Sequence, residues 1–100
     1  METTNVEIVL GSDNVFADLG FEAEEAANLR IRADLMLDLK SHIQYQGWPY
    51  DEAIQYLNTS KSTIDNLNNG EICEFTVDGL IQLLGKAGMS VEVNVVANVA

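Results

Sequence analysis

Apolar and polar positions alternate at the start of the chain and then change to helical spacing. Val6, Ile8 and Leu10 stand two apart, a period that predicts a short strand stopped by the turn residues Gly11, Ser12, Asp13 and Asn14. Phe16, Leu19 and Phe21 keep no clean period; a short helical turn whose apolar side chains pack the lead-in onto the body is expected there. From Glu22 to Gln46, Leu29, Ala33, Met36, Leu39 or Lys40, and Ile43 recur at three and four, the spacing of one face of a long helix. Glu22, Glu24 and Glu25 complement the positive end of its dipole, and Gly47 closes it.

Trp48 and Pro49 redirect the chain into two short helical patterns separated by a polar turn. Proline at a helix opening loses no needed hydrogen bond, and Asp51 and Glu52 suit the first turn. Ala53, Ile54 and Leu57 gather on one face of the first helix, and Ile64 and Leu67 form the matching stripe on the second. Asn58 tolerates the left-handed backbone that ends a helix, Ser60 can cap the helix that follows, and Gly70 stops it. Glu71 to Glu74 reads as a loop in which Cys73 packs as a small apolar residue. Thr76 can cap a last helix through Lys86, with Val77, Leu80, Ile81 and Leu84 as its buried stripe and Gly88 at its end. Ser90 to Val96 alternates valine with polar residues and predicts a second strand.

The spacing of small residue, apolar residue, turn residue, apolar pair and terminal glycine between Ala53 and Gly70 resembles that of Cro/repressor-like helix-turn-helix proteins, the XRE family. Leu35, Leu39 and Ile43 are similar to the first helix of that family, and Phe75 to Leu80 to the start of its fourth. The stretch Asn14 to Phe21 resembles the lead-in of a small-protein subgroup similar to HigA-type antitoxins. The resemblance implies a mainly α fold: a lambda-repressor-like bundle of four to five helices with a helix-turn-helix, plus short N- and C-terminal β-strands. One compact domain is expected, with residues 1–21 as strand and lead-in, 22–88 as the DNA-binding-like helical part and 89–100 as a dimerisation strand.

Composition narrows the function. One hundred residues, 47% of them apolar, suit one folded domain, and 16 acidic against 5 basic residues leave a formal charge of -11. Such a field repels phosphate, so any nucleic-acid contact has to rest on a locally neutral or basic face. The first residues lack the pattern of a secretory signal and no apolar run is long enough for a bilayer, so a cytoplasmic location and no membrane partner are expected. With Cys73 and His42 the sole residues of their types, no disulfide, zinc site, cofactor site or catalytic constellation can be assembled, and no enzyme activity is expected. His42 is expected half-buried or facing solvent.

In the family that the chain resembles, the second helix of the motif enters the major groove of double-stranded DNA. Carried over, the resemblance places Tyr50, Ser60, Lys61, Ser62, Thr63, Asn66 and Asn69 at base-facing or backbone-facing positions. Lysine can reach phosphate or guanine, asparagine can pair with adenine, and hydroxyls can donate to phosphate oxygens. The chain also departs from the pattern. Lys61 replaces a common glutamine, Asp65 a frequent serine, Glu71 a frequent basic residue, and Ile54 the alanine usual at the helix crossing. A carboxylate at Asp65 repels phosphate unless it accepts a cytosine amino group or pairs with Lys61.

The expected function is a sequence-specific DNA-binding transcriptional regulator. Alternatives are an antitoxin-like protein that neutralises a basic toxin, and a helix-turn-helix domain whose DNA binding is weakened or lost. Two short strands at opposite ends of the chain are marginal alone. Pairing across a two-fold axis supplies more sheet, so a homodimer is expected, with recognition helices about 34 Å apart.

Overall fold

The structure is a computed structural model describing residues 4–10 and 15–95. Its elements run β1 (Thr4–Leu10), α1 (Val15–Asp18), α2 (Ala23–Gln46), α3 (Tyr50–Tyr56), α4 (Lys61–Asn69), a 3-10 turn (Ile72–Glu74), α5 (Val77–Lys86) and β2 (Met89–Val95). This is the expected class, a mainly helical bundle carrying a helix-turn-helix and short terminal strands. The turn expected at Gly11 to Asn14 and the strand end at Val96 lie outside the described residues.

Three successive helices end by the same device. After α2, α3 and α4 the chain turns left-handed at Gly47, Asn58 and Gly70, with φ of 69°, 48° and 70°. In each case the next amide returns to a carbonyl five residues back: Trp48 to Ile43, Thr59 to Ile54 and Glu71 to Asn66. These bonds satisfy carbonyls that a helix end leaves open. Asn58 is the one non-glycine residue with positive φ among the described residues.

The core lies where α2 crosses the other helices. Leu35 and Leu39 of α2, Leu57 after α3, and Leu80 and Leu84 of α5 have no accessible surface, and Ile64, Leu67, Phe75 and Met89 close around them. In α5 the buried set is Leu80, Leu83 and Leu84, with Ala87 following at the same spacing, whereas Ile81 is 38% exposed. Ile81 was expected in the stripe; one residue past Leu80, it is rotated about 100° off the face that Leu83, Leu84 and Ala87 continue.

Other expectations are corrected. Leu19 is 69% and Phe21 41% exposed, so the lead-in is not packed into the core as expected. Phe21 instead meets half-buried Phe16 edge-to-face, with ring centroids 6.2 Å apart. α1 ends at Asp18, so of the three only Phe16 lies within it, and Leu19 and Phe21 follow in the connection to α2. Cys73 is exposed rather than packed, because it rides on the 3-10 turn whose buried anchor is Phe75.

β1 and β2 pair with each other within the chain, in parallel, from Thr4 beside Met89 to Leu10 beside Val95. A second copy is therefore not needed to form this first ladder. Along β2, Met89 is buried and Val91 half-buried against the core, while Val93 is 49% and Val95 79% exposed. The ribbon thus leaves the helical body as it proceeds. No described helix is long and apolar enough to cross a membrane.

Candidate nucleic-acid interface

The bihelical unit is held from behind by apolar contacts and from within by its turn. Ala53, Leu57, Ile64 and Leu67 are buried, and Ile54 is half-buried against the same core. Beside Ile54, Ala53 is 1% exposed and presents a small side chain to the core. Left-handed Asn58 then reverses the chain, and Ser60 opens α4 with its Oγ accepting the Thr63 amide at 3.3 Å. The same Oγ lies 3.1 Å from Ser62 Oγ and 2.9 Å from Thr63 Oγ1, so three hydroxyls share the first turn of α4.

Helical spacing sets what α4 presents. Ser62, Asp65, Asn66 and Asn69 follow at three, four and seven, on the side opposite buried Ile64 and Leu67. Ser60, Lys61, Ser62 and Asn69 are exposed; Thr63 and Asn66 are half-buried. The seven residues do not form one patch. Ser60, Lys61 and Ser62 stand together at the start of α4. Thr63 and Asn66 line a groove of about 310 Å³ shared with Thr76, Gln82 and Lys86 beside α5, and Asn69 borders a separate cleft on the α2 side.

Tyr50 is half-buried, and its hydroxyl is spent within the protein. It donates to Asp65 Oδ1 at 2.5 Å and also lies 3.1 Å from the Lys61 carbonyl. Burial first, then the Asp65 hydrogen bond and the charges of Asp65 and Asp51, push its ionisation up to about 12. Asp65 therefore finds its partner in Tyr50 and not in Lys61. Among the described residues Lys61 has no ion-pair partner, and its ammonium is left to solvent.

Several residues that organise this region carry no sequence signal of their role. Lys86 Nζ reaches the Asn58 carbonyl at 3.5 Å, which sets a second cation beside the turn of the motif. Arg32 on α2 donates from Nη1 to the carbonyls of Ile72 and Phe75, at 3.1 and 3.3 Å, and so fixes the connection from α4 to α5. His42, half-buried as one of its two expected settings, has Nε2 3.0 Å from the Ala87 carbonyl. These contacts join positions more than twenty-five residues apart, beyond the reach of any local pattern. Around the two lysines the surface is acidic: Asp51 and Glu52 are exposed at the start of α3, and Glu71 and Glu74 after α4.

No match to the chain was found among curated proteins or among solved structures. A family model described as a helix-turn-helix domain matches residues 15–96, more than half of the sequence and the whole of the bihelical unit. The chain belongs to the helix-turn-helix domain family.

Proposed function

We propose that the protein is a sequence-specific DNA-binding transcriptional regulator of the Cro/repressor-like type, acting as a cytoplasmic homodimer. The observation that carries this reading is the presentation of α4. Its apolar side is buried, its first turn is capped by Ser60, and Lys61, Ser62 and Asn69 are exposed beyond the reversal at Asn58. In this reading α4 lies in the major groove with its N-terminal turn toward the bases, the docking mode of the helix-turn-helix. Ser60, Ser62 and Thr63 supply hydroxyls to phosphate, Asn66 and Asn69 amides to base edges, and Lys61 the positive charge. Tyr50 acts behind this surface through Asp65. Withdrawing that carboxylate into a hydrogen bond lessens its repulsion of the backbone.

Dimerisation is supported by the ribbon. A two-stranded parallel sheet is marginal in water, and parallel sheets are ordinarily covered on both faces. The exposed Val93 and Val95 provide apolar surface for a second copy. Fluorescence anisotropy with DNA from upstream of the protein's own coding region, at low and at physiological salt, tests the assignment. Saturable binding that weakens with salt is expected; absence of binding at low salt overturns it.

A second reading is favoured by the charge of -11 and by the exposed Asp51, Glu52, Glu71 and Glu74 around the motif. In it the acidic surface neutralises a basic toxin, as in the HigA-type subgroup, with or without DNA binding. Co-expression with the product of an adjacent reading frame tests it: a salt-sensitive complex that relieves toxicity is expected, and a neighbour that is neither basic nor bound refutes it. Loss of DNA binding with retention of the fold is the remaining alternative, and the anisotropy titration separates it from the first.

A further inference from the structure

A cleft of about 570 Å³ lies on the side of the molecule where α2 meets the helix-turn-helix, between the C-terminal half of α2 and residues of α3 and α4. Its volume is that of small-molecule sites, which are mostly apolar with a few convergent polar groups. Trp48, Pro49 and Tyr50 furnish aromatic and ring surface on one side, and Ile43, Ala53 and Ile64 an aliphatic floor. Trp48 is held in place. Tyr56 stacks on it at 4.7 Å between ring centroids, and His42 meets it edge-on at 5.7 Å.

The polar groups of the cleft are Lys40, Gln44 and Asn68. Lys40 is half-buried, yet its ammonium makes no hydrogen bond or ion pair with another described residue. The sequence explains why. Its helical neighbours at three and four are Met36, Leu37, Ile43 and Gln44, none of them acidic, and Asp38, two positions back, is on the far side of the helix. Lys61 is also without an ion pair, but it is exposed to solvent, whereas Lys40 is half-buried beside the apolar lining of the cleft. The side-chain amides of Gln44 and Asn68 likewise have no described partner and can donate beside it.

The geometry points to a binding site for a small aryl monocarboxylate, with its ring against Trp48 and Tyr50 and its carboxylate on Lys40. An aromatic ring suits the aromatic wall, and a charge-assisted bond to lysine suits the carboxylate. A single negative charge is named because Lys40 is the one cation lining the cleft. The site is independent of whether α4 reads DNA. Because its lining comes from α2, α3 and α4 together, an occupant contacts the seat of the bihelical unit, which makes it a place where a metabolite can bias that unit.

Trp48 is the sole tryptophan, so its emission reports directly on the cleft. The full chain is titrated with 3-phenylpropionate and, separately, with its neutral amide. A saturable change in emission with the acid is expected at about 1 mM or below, the affinity open to so small a ligand. The amide is expected to bind at least about ten-fold more weakly, Lys40→Met to show the same deficit toward the acid, and Lys40→Arg to stay near the parent. No saturable response to the acid, equal affinity for acid and amide, or parent-like binding by Lys40→Met overturns the site. If Lys40→Met does not fold, judged by its circular dichroism, the comparison of acid with amide on the parent chain decides.

Discussion

The phenolic oxygen of Tyr50 lies 2.5 Å from Oδ1 of Asp65, so the first residue of α3 holds the one carboxylate carried by α4. A free carboxylate on that face would meet phosphate with like charge. Tyr50→Phe is therefore expected to weaken DNA binding several-fold at low salt, although phenylalanine keeps the ring packed. Adding Asp65→Asn is expected to restore affinity to the parent level or above. Anisotropy titration of the two variants checks this, and equal affinity of parent and Tyr50→Phe contradicts it.

The same bond gives a pH signature. The Tyr50 ionisation is raised from its ordinary 10 to about 12, so the folded state favours the protonated phenol. That contribution to stability is fully present below pH 10 and is lost as the pH rises through 12. Phenolate absorbance of the parent minus that of Tyr50→Phe is expected to show a transition near pH 12. A difference transition near 10 contradicts the bond.

Lys61, to which the DNA reading assigns the positive charge, and Lys86, the second cation beside the turn, stand amid exposed carboxylates. Lys61→Ala and Lys86→Ala are each expected to reduce the steepness of log affinity against log salt by about 0.9, the share of one phosphate contact. The loss is expected to be nearly the same on cognate and unrelated DNA for Lys86→Ala. For Lys61→Ala it is expected to be larger on cognate DNA, because Lys61 is at the start of α4. Salt titrations of both variants on both sequences measure these slopes.

Gly70 and Asn58 end the two helices of the motif with the same left-handed backbone. A Cβ at Gly70 would meet nothing within 4 Å, so Gly70→Ala is expected to cost about 1 kcal/mol from conformation alone. At Asn58, whose φ is 48°, the reverse substitution applies: Asn58→Gly is expected to gain up to about 1 kcal/mol, and Asn58→Ala to lose a similar amount. Urea unfolding followed by circular dichroism gives all three values.

The helical part was legible because its signals are local. Ser60 and Thr76 accept the amides three residues on, as their positions before apolar runs imply, and Gly47, Asn58 and Gly70 each take the turn their side chains permit. Where the reading went astray, the competing effect is non-local or needs rotational phase. Ile81 and Leu83 are both apolar, yet Leu83 is buried and Ile81 is exposed, a difference of rotational phase on α5. The apolar side chains of Leu19 and Phe21 announce burial, yet both are exposed. Within the candidate interface, the sequence supplied the exposed Lys61, Ser62 and Asn69. It could not show that Tyr50 and Asp65, fifteen residues apart, neutralise each other's claims on a ligand, nor that Lys86 returns to the turn at Asn58.

The pairing of Thr4 with Met89 ties the first described strand to the last. In the order of synthesis β1 precedes the five described α-helices, and β2 follows them. For that interval β1 has no neighbour to bond, and closing so long a loop is entropically slow. The helices should accordingly assemble first, with the ribbon zipping shut behind them as a late seal.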